Sequence, residues 1–153
     1  MTSYLTSLDA PALRAAGIPE PWNYGTQDRV RFGEVDVYGH VNNATYLKWF
    51  ETLRIGQLRD VVWPQISNPQ RLVLRNVGVD FIAEVKPDES YILTASTVEL
   101  RRTSFTQRYG VWVAGQLRTT GHAVVVTVDE NGKVPMNDDL RKVLMGLDGA
   151  TQL

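Results

Sequence analysis

A change of repeat near residue 70 constrains this chain more than any other feature. At about 100° per residue, Tyr46 to Arg59 sets Trp49, Leu53, Tyr46, Phe50, Leu47 and Leu58 on one stripe and Lys48, Thr52, Thr45 and Arg59 opposite. The stripe takes up about half the circumference, which is wide for a surface helix and suits one cradled by a curved sheet. From Val73 onward the period is two: Val73, Val77, Val79, Phe81, Ala83 and Val85 alternate with residues such as Asn76, Gly78, Asp80 and Glu84. Tyr91 to Leu100, Ser104 to Leu117 and Thr119 to Val128 follow as three further β-rich runs, and the run Val124-Val125-Val126 predicts a strand covered on both faces. One long helix followed by four long strands predicts an α+β domain with the helix packed on an antiparallel sheet.

The rest of the chain frames that unit. Residues 1–26, with Pro11, Pro19 and Pro21, read as an N-terminal arm carrying one short helix from Pro11 to Ala16. Its Trp22 and Tyr24 either pack on the domain or cover a pocket. Residues 27–153 form one domain: a short strand from Gln27 to Phe32, a loop from Gly33 to Val41, and then Asn42 and Asn43 as helix N-cap residues. Pro64 to Pro69 reads as a connection and Lys86 to Glu89 as a turn. Asn131-Gly132 is a hairpin signal, and Asn137 caps a last helix reaching about Leu147.

Composition removes several classes of function. The net charge is -1 and both signs are dispersed, so no field exists to hold nucleic acid. There is no cysteine and there are only two histidines, His40 and His122, which leaves no disulfide, no thiol nucleophile and no metal-ligand spacing. No apolar run approaches the ~18 residues a membrane helix needs. Neither a leader nor membrane insertion is expected, and the expected address is the cytoplasm.

The candidate chemistry lies in Arg31 to Leu47, where Asp36 stands in a loop ahead of the helix start at Asn43. Free N–H groups at a helix start, with the positive end of its dipole, can stabilise the oxyanion formed when a carbonyl is attacked, and a carboxylate can deliver the attack. A loop aspartate is also a turn former, so local chemistry leaves both roles open.

Asp36, Gly39, His40, Val41, Asn43 and Tyr46 together resemble the block of the hotdog-fold thioesterases of the 4-hydroxybenzoyl-CoA thioesterase type, and the resemblance extends from Gln27 to about Leu144. It implies a hotdog fold: a curved antiparallel sheet of about five strands wrapped around one long central helix. It also implies hydrolysis of an acyl-CoA thioester. By resemblance, Asp36 is the base or nucleophile, the Asn43 backbone N–H polarises the carbonyl, and Gly39 lets the backbone approach the thioester. His40 is either a partner of the site or a structural histidine.

Tyr46 and Trp49 are candidates for the acyl pocket as well as for the core, and Glu51 and Arg54 for an ion pair. Arg101, Arg102 and Ser104 are candidates for gripping CoA phosphates. No cofactor is implied beyond the CoA of the substrate. A homodimer or homotetramer is, pairing an edge strand after Thr119. The alternatives are an acyl-CoA-binding module without turnover and an acyl-ACP thioesterase. Tyr38 stands where the acyl-ACP enzymes carry a catalytic asparagine.

Overall fold

The computed structural model describes residues 4–153. In chain order its elements are β1 (Ser7–Leu8), α1 (Ala10–Ala15), β2 (Tyr24–Arg29), α2 (Thr45–Gln57), β3 (Arg71–Phe81), β4 (Ser90–Leu100), β5 (Ser104–Val113), β6 (Gln116–Asp129), β7 (Gly132–Lys133), α3 (Asp138–Asp148) and β8 (Thr151–Gln152). The principal strands lie in the order β2-β4-β5-β6-β3, all antiparallel. The two-residue strands β1, β7 and β8 add to β2, β6 and β4. A π turn, Leu58–Val62, and a 3-10 turn, Trp63–Gln65, prolong α2. The fold is the hotdog arrangement expected from the sequence.

Helix α2 buries Tyr46, Trp49, Phe50 and Leu53 in one cluster with Tyr91, Leu93 and Ala95 of β4, Tyr109 and Val111 of β5, and Ala123 and Val125 of β6. Phe50 stacks on Tyr109 with ring centroids 4.8 Å apart. Gly121 makes this contact possible, since a Cβ there would stand 2.5 Å from a Phe50 ring carbon. The helix stripe differs from the expected one at two places. Leu47 is exposed, and Arg54 is buried instead of pairing with Glu51. The sheet provides Arg54 with a partner: its Nη1 donates to the Tyr109 hydroxyl (3.1 Å), which donates to Gln107 Oε1 (2.9 Å), while Gln107 Nε2 donates to Gln57 Oε1 (2.9 Å). A satisfied polar chain therefore runs beneath the second half of the helix.

The arm packs on the other face of the sheet. The Asp9 side chain caps α1 by accepting from the Ala12 N–H, and Leu13 and Ile18 close on Trp112. Trp22 meets Trp112 edge to face at 6.4 Å, whereas Tyr24 enters the main core.

Four strand expectations need correction. β5 ends at Val113, not Leu117, because Ala114 and Gly115, at φ of 49° and 74°, make a two-residue hairpin turn. β3 stops at Phe81 rather than Val85 because the Ile82 and Ala83 N–H groups both donate to the Arg118 carbonyl and turn the chain away. A register shift between Leu74 and Asn76 also puts Leu74, and not Val73, on the face of Val77. Finally, the strand after Thr119 is not an edge. β6 lies between β5 and β3, and the free edge belongs to β3, where Leu74, Val77 and Phe81 remain exposed.

Candidate functional site

The segment from Glu34 to Asn42 folds as a small hairpin ahead of α2. Val35 bridges Val41, the Asn42 N–H donates to the Glu34 carbonyl (2.8 Å) and the Asp36 N–H to the His40 carbonyl (3.0 Å). At its tip the Gly39 N–H donates to the Asp36 carbonyl (3.1 Å), closing a turn that puts Gly39 at φ 79°, a conformation glycine adopts at little cost. Nothing lies within 4 Å of where a Cβ on Gly39 would stand, so backbone conformation rather than crowding asks for glycine here. The hairpin is tied to the sheet by the Val41 N–H, which donates to the carbonyl of fully buried Val85 (2.8 Å).

Asp36 is half-buried in this frame. Its Oδ1 accepts the Tyr38 N–H at 2.9 Å, the turn-forming bond of a loop aspartate, and no bond to its second oxygen occurs among the described residues. Asp36 lines an open cleft of about 430 Å³ together with Val30, Val35 and Pro87, with Arg31, Asp88 and the fully exposed Phe32 also on its lining. A carboxylate with one fixed and one free oxygen beside an apolar cleft can take a proton from water or attack an electrophilic carbon.

At the helix start the Asn42 Oδ1 accepts the Ala44 N–H (2.9 Å) and the Asn42 carbonyl accepts the Thr45 N–H (2.9 Å). Helix α2 itself begins at Thr45, two residues later than the expected start at Asn43, with Ala44 at the N-cap and no side-chain cap there; Asn42 closes the turn that leads into it rather than capping the helix. The Asn43 N–H meets no acceptor among the described residues, which leaves it available to a carbonyl oxygen. His40 lies on the other side of the hairpin, its Nδ1 3.4 Å from the Val41 carbonyl and its Nε2 3.8 Å from Glu84, with its ring stacked on Tyr38.

Tyr46 and Trp49 lie under the hairpin in the core. Trp49 stacks on Tyr91 at 4.1 Å, and Tyr46 meets both Trp49 and Phe81 edge to face. Burial, and then the negative charges of Asp28 and Glu34, push the Tyr91 phenol well above its usual range. Arg101 and Arg102 stand at the turn after β4, and Ser104 is buried at the start of β5. The Asp36 hairpin follows β2, whose last residue, Arg29, pairs with Ser90 at the opposite end of that 11-residue strand, so the length of β4, about 33 Å if straight, lies between the two ends. Arg101 is moreover paired to Glu99 at 2.6 Å.

Sequence reasoning missed Glu34. Its Oε2 accepts the Arg31 N–H (2.9 Å) and its Oε1 accepts the Trp49 indole N–H (3.0 Å), so one carboxylate fastens the hairpin to α2. The signal was an acid three residues after Arg31, in the manner of a capping box. Arg31 itself is engaged by both oxygens of Asp28, at 2.8 and 3.2 Å. Among the described residues no group of His, Asp and Glu is arranged to hold a metal ion.

Residues 30–144 match the family described as the thioesterase-like superfamily. The chain is 30% identical over 119 residues to the YsmA protein of Bacillus subtilis (strain 168), spanning 76% of this chain and 81% of that one. Among solved structures, a thioesterase superfamily protein from Jannaschia sp. CCS1 is 36% identical over the full length of both chains, with a TM-score of 0.89. A thioesterase from Thermus thermophilus, solved with coenzyme A and zinc, is 26% identical over 82% of this chain and 95% of its own, with a TM-score of 0.71.

Proposed function

Because the chain belongs to the thioesterase-like superfamily, we propose that it hydrolyses an acyl-CoA thioester, with Asp36 as the reacting carboxylate and the Asn43 N–H as a donor to the thioester oxygen. The observation that carries this reading is the Asp36 carboxylate, one oxygen anchored and the other free, presented beside an apolar cleft ahead of a helix start. As a base, Asp36 takes a proton from water while the water oxygen bonds to the carbonyl carbon. The C–S bond then breaks and the CoA thiolate leaves with a proton. As a nucleophile, Asp36 forms an acyl anhydride with loss of the same thiolate, and water then opens it. Both routes build negative charge on the carbonyl oxygen, and one well-aimed N–H there is worth about 3 kcal/mol.

Coenzyme A as the thiol carrier is supported by its presence in the Thermus thermophilus relative. A cytoplasmic location goes with that substrate. The working unit in this reading is a homodimer, or a homotetramer built from it. β3 offers an unpaired edge, and the face bearing Leu74, Val77 and Phe81 is uncovered, so a second copy joining there removes the free edge and the exposed apolar strip together. If Arg101 and Arg102 grip CoA phosphates, they do so on a substrate seated in the partner's cleft. His40, through Glu84 and the Val41 carbonyl, holds the hairpin rather than the substrate.

The test is Asp36→Asn, whose amide oxygen can still accept the Tyr38 N–H and so preserve the turn. Against a panel of acyl-CoAs the variant should lose about 10²- to 10⁴-fold in kcat. Unchanged turnover in a folded variant would remove Asp36 from the reaction. CoA binding by the parent protein without thiol release from any thioester would instead make it a binding module.

A further inference from the structure

Resting on the thioesterase reading, we infer that the cleft beside Asp36 selects acyl groups ending in an uncharged apolar tail and rejects those ending in a carboxylate. The apolar lining of Val30, Val35 and Pro87, with the exposed Phe32 ring at the rim, offers no hydrogen-bond donor from its side chains. The volume of about 430 Å³ falls within the ~300–1,000 Å³ typical of ligand clefts. A short aliphatic chain or a single ring can bury itself there.

The charges around the cleft set its selectivity. Arg31, the cation on the cleft's lining, is already engaged by Asp28 at 2.8 Å, with Glu34 at 3.8 Å, and the lining carboxylate Asp88 is paired with Arg29 at 2.9 Å. The lining thus carries two carboxylates, Asp36 and Asp88, against one guanidinium that is already paired, a net excess of one negative charge. A terminal carboxylate on the acyl group would enter this field with no unpaired cation on the lining to receive it, and would lose its water against an apolar wall. A methyl-terminated chain loses nothing comparable and gains about fourfold in kcat/KM per buried methylene, equivalent to about 0.8 kcal/mol.

The experiment compares two six-carbon substrates, hexanoyl-CoA and adipoyl-CoA, on the parent protein and on Asp88→Asn. Asn tolerates the positive φ of 64° at position 88, and the change removes one rim carboxylate while releasing Arg29. The parent protein should favour hexanoyl-CoA at least tenfold in kcat/KM, and Asp88→Asn should narrow that ratio several-fold. Equal turnover of both substrates by the parent overturns the selectivity while leaving the thioesterase reading intact, and so does a ratio that Asp88→Asn does not move. If neither thioester is hydrolysed, the acyl-CoA panel decides the thioesterase reading, and calorimetry with the non-hydrolysable thioethers S-hexyl-CoA and S-(5-carboxypentyl)-CoA decides the cleft alone. Equal affinity for the two thioethers overturns the inference; a tenfold preference for the hexyl thioether upholds it.

Discussion

Replacing Asp148 with asparagine should stabilise this protein at neutral pH and leave it unchanged in acid. Asp148 ends α3, and its Oδ2 accepts the Thr97 N–H at 2.8 Å, beside the point where β4 shifts register. Its Oδ1 is buried without a partner among the described residues. Burial raises the acid from 3.8 to about 6, and the negative end of the helix dipole opposes the carboxylate in the same sense. Because the fold raises this pKa, the stability the group contributes is fully present below 3.8 and is lost as pH rises through about 6.

About 2 pH units at ~1.4 kcal/mol each gives about 3 kcal/mol, which solvent screening of a partly exposed carboxyl reduces to about 2 kcal/mol. The asparagine keeps an acceptor for Thr97 and mimics the protonated acid at every pH. At pH 7.5, Asp148→Asn should therefore melt about 4–8 °C above the parent. The gap should close by pH 4. Calorimetric melts at several pH values and one fixed protein concentration would show this, the fixed concentration keeping any subunit association constant. A gap of the same size at pH 4 and 7.5, or a variant less stable at both, would refute the argument that desolvation of the carboxylate is the cause.

Two further changes probe other parts of the structure. Gly121→Ala drives a methyl group to 2.5 Å from the fully buried Phe50 ring and should cost about 1–3 kcal/mol in urea unfolding, whereas Gly33→Ala, with nothing within 4 Å, should cost little. Val77→Lys places a charge on the exposed apolar strip of β3 and should shift sedimentation velocity toward a monomer; an unchanged species would move the subunit contact elsewhere.

The broad helical stripe and the period-two runs were enough to predict α2, the sheet and their packing, because burial on one face writes itself into periodicity. Periodicity is blind to a one-residue offset. The register shift between Leu74 and Asn76 moved Val73 off the expected face, and only pairing with β6 reveals it. Spatial order along the sheet is equally absent from a local pattern, which is why the free edge was sought after Thr119 instead of at β3. Around the cleft, the loop that holds Asp36 and Gly39 was legible from its place between the first strand and the helix. Glu34 was not, since its two contacts join residues 3 and 15 positions away. Arg54 misled for a related reason: its partner, Tyr109, lies 55 residues on, and no rule of helix-surface charge pairs anticipates that.

The Asp36 hairpin holds its shape through main-chain bonds and the Glu34 clasp, so its most outward side chains, Val37 and Tyr38, have little part in maintaining it. Those two positions are open to exchange without disturbing the aspartate between them and the sheet. A lineage can therefore redraw the surface beside Asp36 by point substitution, at little risk to folding. The same freedom makes the pair a natural place to randomise when new specificities are sought.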